Sequence, residues 1–120
     1  MAELLIEGNE LVVRLESMEK IEAVHGDLRF PMASVKDAEV IEDALETVHG
    51  IRSPGMRVPG YVAVGTFHYH GKKTFAVVHH ETHRGVRISL DGQDYDDLII
   101  GANDPESVVT SIGRTDALGV

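Results

Sequence analysis

The sequence predicts a mainly β domain with a minor helical part: seven or eight short antiparallel strands capped by a C-terminal helix. Three observations predict it. Its apolar runs are short and are separated by Gly, Asn, Asp and Pro turn signals. The 120 residues include three Phe, three Tyr and no Trp, so the core must be built mostly from Val, Ile and Leu, which suit strands. Asp104-Pro105-Glu106 marks one strong helix start, with an N-cap acid, a proline at the first helical position and an early negative charge. A chain of this length fits one domain with one core, here placed at 1–113 with 114–120 as a tail.

Each element has a local reason. Glu3–Glu7 and Glu10–Leu15 are apolar runs around Gly8-Asn9, a hairpin signal. From Ser17 to His25, Met18, Ile21 and Val24 recur at helical spacing as one apolar stripe, and Gly26 can end the helix. Asp27–Pro31 alternates as a half-buried strand does, and Pro31 ends it. Met32 to Ser34 turn, Val35–Glu42 resumes the strand pattern, and Ala44–His49 reads as one helical turn closed by Gly50. Residues 51–60 carry two Pro-Gly pairs and read as the clearest loop. Tyr61–His80 is a second hairpin, Gly85–Leu90 alternates, Asp91-Gly92 turns, and Tyr95–Ile100 is the last strand. The terminal helix shows Val108, Val109 and Ile112 on one face and ends near Gly113. The strands in this reading meander, and the helix covers an open end of the sheet.

This order resembles the bacterial pleckstrin-homology-like (PH-like) domains, small barrels capped by a C-terminal helix. Phe30-Pro31 followed by Val35 resembles the lead into an early strand, and Gly55, Gly60 and Gly65-Thr66-Phe67 look like the glycine-punctuated approach to the central hairpin. Tyr95, Ile99-Ile100 and Asp104-Pro105-Glu106 look like the last strand running into the capping helix. The resemblance implies a bent antiparallel sheet or partly open barrel, and a non-catalytic interaction or self-assembly module. It does not imply phosphoinositide binding, because the first turn, Glu7-Gly8-Asn9-Glu10, is acidic where a phosphate needs positive charge. The helix at 17–25 departs from the pattern.

Charge is unevenly spread. Residues 1–50 hold 12 acids and 4 bases, while between 51 and 90 Glu81 stands alone against six bases. The first half repels nucleic acid and anionic membranes. The basic segment is complementary to it, so a protein partner or a homo-oligomer is expected, and a small anionic ligand has candidate contacts in Arg52, Arg57, Lys72 and Lys73. No cysteine is present, which excludes disulfides and thiolate zinc sites. The N-terminal residues lack the basic flank and apolar run of a signal peptide, and no apolar run approaches the roughly 20 residues of a membrane helix. A cytoplasmic protein without a cofactor is the resulting expectation.

Five of the seven histidines lie within sixteen residues: His68, His70, His79, His80 and His83. Histidine is the commonest metal ligand. With a two-residue turn at Gly71-Lys72, His70 faces Lys73, His68 faces Phe75 and His79 faces Val64. His68 and His70 then lie about 6.6 Å apart on one side, but His79 is roughly 13 Å further along. One metal cannot span that gap. The histidines therefore divide between the two ends of the hairpin, and His80-Glu81-Thr82-His83 is one residue short of the metalloprotease spacing. A metal-binding or metal-dependent enzyme using His68 and His70 is the alternative to a contact surface that includes these two residues.

Overall fold

The computed structural model describes residues 2–23 and 26–118, and the side chains of these apart from 51–54 and 114–118. It is mainly β, as expected, with nine strands among the described residues arranged in two sheets and no closed barrel. Strands β1 (Glu3–Glu7), β2 (Glu10–Arg14) and β3 (Leu28–Pro31) form an antiparallel three-stranded sheet. Strands β4 (Val35–Ile41), β5 (Ile51–Val58), β6 (Val62–Tyr69), β7 (Lys72–His79), β8 (Gly85–Leu90) and β9 (Asp97–Gly101) form the second, in the order β4-β8-β9-β7-β6-β5. Helix α1 (Ser17–Ala23) links β2 to β3, α2 (Ala44–Thr47) links β4 to β5, and α3 (Pro105–Leu118) follows β9. A 3-10 turn at Met32–Ser34 joins the two sheets. No helix among the described residues is long and apolar enough to cross a membrane.

The expected meander is replaced by an insertion. Strand β9 sits between β8, to which it is antiparallel, and β7, to which it is parallel. Burial explains the position. All five residues of β9 are buried, so both of its faces need a packed layer over them, and an interior strand lies where the two cores on opposite faces of the sheet both reach. Leu98 and Ile100 enter one core with Val62, Val64, Phe75, Val77, Val86 and Ile88. Leu11, Val13 and Phe30 of the three-stranded sheet close that core from above, with Ile112 of α3. Ile99 points the other way, into a smaller core with Ala63, Phe67, Ala76 and Val78, roofed by Ala44 and Val48 at α2. The chain thus has one principal core and a second, thinner one.

Tyr95 precedes β9 rather than belonging to it. Six residues, 91–96, link β8 to β9, where a two-residue turn was expected. The Tyr95 ring is buried edge-on against Phe75 (5.5 Å) and Phe30 (6.4 Å), and its hydroxyl lies 3.0 Å from Thr66 Oγ1. Asp104 caps α3 as expected, accepting a hydrogen bond from the Ser107 N–H. The helix continues through Gly113 to Leu118, past the stop expected at that glycine.

The loop expected at 51–60 is largely strand. β5 pairs with β6 from Ile51↔His68 to Val58↔Val62, with a register shift between Arg52 and Gly55. Pro54 falls in that irregularity, and β5 is an edge strand, the two settings where a sheet tolerates proline. Gly55 is required there. Its φ is +152°, and a Cβ would stand 2.5 Å from the Val64 carbonyl oxygen. The turn signal survives only at Pro59-Gly60, where the Tyr61 N–H donates to the Val58 carbonyl. Replacing Gly55 by Ala is expected to cost about 1–3 kcal/mol of stability. Urea denaturation checks this, and a loss below about 0.5 kcal/mol, the ordinary surface effect, would contradict the register.

Candidate functional site

The β6–β7 hairpin turns one residue earlier than its spacing suggested. His70 and Gly71 are the two turn residues, with Tyr69 opposite Lys72, His68 opposite Lys73 and Val62 opposite His79. His70 has φ +49° and Gly71 φ +78°, the paired left-handed conformation that matches the twist of a tight hairpin. Histidine is among the few non-glycine residues enriched in that region. The assumed pairings of His70 with Lys73, His68 with Phe75 and His79 with Val64 are therefore each displaced. His70 also leaves the strand, so His68 and His70 are no longer alternate residues of one extended segment. Among the described residues no group of three His, Asp or Glu is placed to hold a metal ion.

The basic candidates do not share a site. Arg57 turns under α2, where its Nη1 donates to the Gly50 carbonyl (3.1 Å) and its Nη2 to the Val48 carbonyl (2.9 Å). The guanidinium lies 5.6 Å from the centre of the Phe67 ring, in the smaller core. It caps the carbonyl end of a four-residue helix, a use that suits a cation. Lys73 lies over the opposite face of the sheet, its ammonium 4.8 Å from the Tyr95 ring centre. Lys72 and His68 are exposed at the hairpin tip. Arg52 pairs through its backbone with Phe67, and its side chain falls outside the described ones.

Much of the charge complementarity read from the sequence is satisfied within one chain. Arg84 holds Glu42 through two hydrogen bonds of 3.1 Å and also pairs with Glu106 of α3. Arg87 reaches Asp97 (3.3 Å) and Glu39 (3.7 Å). In the first sheet Arg29 bridges Glu7 and Glu10 across the acidic turn. Hydrogen bonding from Arg84 holds the Glu106 carboxyl below its ordinary value of 4.5. A lowered folded-state value adds stability above the unfolded value, and that contribution is lost as pH falls through the folded one. Arg84→Gln is therefore expected to raise the Glu106 midpoint toward 4.5 and to make stability less sensitive to acidification below that pH. An NMR titration of the Glu106 carboxyl reads the first effect; an unmoved midpoint would remove Arg84 as the cause.

Helix α1 inverts the expected orientation. The Met18/Ile21 stripe faces outward, with Met18 65% and Ile21 71% exposed, whereas Glu19 is only 2% exposed. Val24 lies outside the described residues. The cause is polar. Glu19 is the third helical residue, and its Oε1 accepts the Glu16 N–H at 2.9 Å, one half of a capping box. Its Oε2 lies 3.7 Å from His79 Nδ1, and Glu22 Oε1 lies 3.4 Å from His79 Nε2. His79 thus stands between two carboxylates of α1 and ties the helix to β7. With Glu19 and Ala23 held inward, the positions of Met18 and Ile21 are left to solvent.

The exposed side of α1 adjoins the β5 edge. The helix packs against β5 and β6. Val58, Val62 and His79 form one cross-strand row, and His79 contacts α1. Met56 and Val58 are exposed on β5, and Tyr61 follows on the turn, its ring stacked 4.0 Å from that of His80. Five of the six large hydrophobic side chains found exposed among the described residues therefore lie on α1, β5 or the adjoining turn; the sixth, Tyr69, is at the hairpin tip. Beside Met18 a cleft of about 520 Å³ is lined by Glu16, Glu19, Glu22, His79 and Glu81. No family model matches this chain, and no curated protein or solved structure matches it either.

Sequence reasoning identified His79 but missed Glu19 and Glu22, its partners. The signal was present: Glu16 and Glu19 stand at capping-box spacing, one residue ahead of the Ser17/Lys20 pair that lacks it. His79→Ala, which leaves the buried Glu19 carboxylate without its imidazole neighbour, is expected to destabilise the fold by about 1–3 kcal/mol. Chemical denaturation at neutral pH measures it, and unchanged stability would show that the histidine does not anchor α1.

Proposed function

We propose that this chain is a non-catalytic, PH-like interaction module that self-associates in the cytoplasm through the α1–β5 surface. One observation carries the reading: α1 buries a glutamate and exposes a methionine and an isoleucine. A short helix held this way forgoes apolar burial worth about 1.5–3 kcal/mol for each large side chain. A contact that covers Met18 and Ile21 recovers that energy. The neighbouring β5 edge adds Met56, Val58 and unpaired backbone groups, the usual features of a sheet that accepts a partner. The mainly β architecture, with a helix following the last strand, supports the PH-like resemblance in outline, while the nine strands and the parallel β7–β9 pair set the chain apart from it.

The reading predicts a specific separation of effects. Met18→Gln with Ile21→Gln is expected to change the stability of the isolated chain by no more than about 0.5 kcal/mol for each position, the ordinary surface range. The same pair of substitutions is expected to weaken concentration-dependent association at least tenfold, equivalent to about 1.4 kcal/mol. Sedimentation velocity across a wide concentration range, beside thermal denaturation, reads both. A wild-type chain that stays monomeric throughout would overturn self-association. A large stability loss in the variant would return both residues to the core.

A further inference from the structure

The other end of the central hairpin carries the surface that complements α1. Tyr69 is about half exposed at the tip, its ring 4.1 Å from that of His70 and 5.3 Å from that of His49. Lys72 stands opposite it on β7, exposed, and Lys73 follows. The acids that share a cleft with Lys72 are each engaged within the chain, Asp96 with the backbone N–H of Lys73 at 2.8 Å and Asp97 and Glu39 with Arg87. The tip is thus an aromatic knob flanked by ammonium groups and histidines. The α1 surface is its converse: Met18 and Ile21 beside a cleft whose carboxylates are Glu16, Glu19, Glu22 and Glu81.

Resting on the self-association reading above, we propose that the partner seated on α1 is the β6–β7 hairpin tip of a second copy of this chain. Tyr69 packs on Met18 and Ile21, and Lys72 faces Glu22 and Glu81. The charge match selects this occupant over a second α1, which would set carboxylates against carboxylates. Geometry then sets the kind of assembly. Val62, in the row beneath α1, and Tyr69, at the tip, are seven residues apart on β6, roughly 23 Å along the strand. One chain cannot join its own two surfaces, so each copy keeps a free tip and a free α1. Across copies the contact either closes reciprocally, each tip on the other copy's α1, or propagates head to tail into rings or filaments.

Two variants test it, each blocking one surface: Tyr69→Ala with Lys72→Glu at the tip, and Met18→Gln with Ile21→Gln on α1. Circular dichroism confirms that each is folded, and Lys72→Glu alone serves if the tip pair is not. Wild-type chain is expected to associate as concentration rises, as a reciprocal dimer or beyond it, and to weaken as salt rises. Either variant alone is expected to associate at least tenfold more weakly. Mixed, the two are expected to form a 1:1 complex that grows no further, because the mixture holds one intact tip and one intact α1 in each pair. Glu81→Lys is expected to restore association to Lys72→Glu. A closed dimer that is lost with the α1 variant and untouched by the tip variant would overturn this inference and leave the α1 surface standing. Mixed variants that form no complex would also overturn it. A monomeric wild-type chain would overturn both.

Discussion

The structure depends on one constraint: β9 must be covered on both faces. Its residues Asp97–Gly101 are all buried, and their side chains alternate between two cores. An edge position would leave one flank of this apolar strand open, and a meander would place it outside β8. Insertion between β8 and β7 solves both problems at the cost of one parallel pairing. The two faces of the six-stranded sheet then need separate roofs. The three-stranded sheet and α3 supply one, while a four-residue helix held by Arg57 supplies the other.

The exposed apolar surface at α1 follows from how far the first roof extends. Leu11, Val13 and Phe30 lie over the interior strands, and at the β6–β5 side the cover passes to α1. That helix is only seven residues long, too short to be stable through its own hydrogen bonds. It is fixed by a local cap, Glu19 to the Glu16 N–H, and by contacts from outside the helix: His79 between Glu19 and Glu22, and the Asp27 carboxylate accepting the Leu15 N–H just before the helix at 2.8 Å. Polar anchoring of this kind fixes which side of the helix faces inward. The apolar stripe is outward because the carboxylates hold the other side, so the Glu19–His79 contact positions the proposed surface without being part of it.

Local signals were legible where the chemistry was local. Gly8-Asn9, Asp104-Pro105 and the alternation of Gly85–Leu90 each give their element nearly in place. Errors arose where a distant partner decided the outcome. Pro54-Gly55 reads as a loop unless β6 is known to lie alongside, because only pairing with Gly65 turns the dipeptide into a strand irregularity. Met18 and Ile21 read as a buried stripe because periodicity gives a face and not its direction. His79, 57 residues away from Glu22, sets that direction. The hairpin turn slipped by one residue because Gly71-Lys72 was given priority over His70-Gly71, and His70 adopts the left-handed conformation usually left to glycine or asparagine.

The same long-range pairing changes the meaning of the charge pattern. An acidic first half and a basic middle look like two surfaces waiting for partners. Arg84, Arg87 and His79 instead reach back to Glu42, Glu39, Glu19 and Glu22 within the chain, so much of the basic segment is occupied by the fold itself. Arg57 is taken by the Val48 and Gly50 carbonyls that follow α2. Lys72 is exposed at the tight turn opposite Tyr69, on a cleft whose acids, Glu39, Asp96 and Asp97, are engaged by Arg87 and the Lys73 N–H. The basic groups left for the proposed contact therefore narrow from a whole segment to a single hairpin tip. The apolar surface with the opposite charge around it lies at the far end of the same two strands. A hairpin that carries these two surfaces at opposite ends cannot bring them together within one chain, and that separation is the geometric basis of the proposed association.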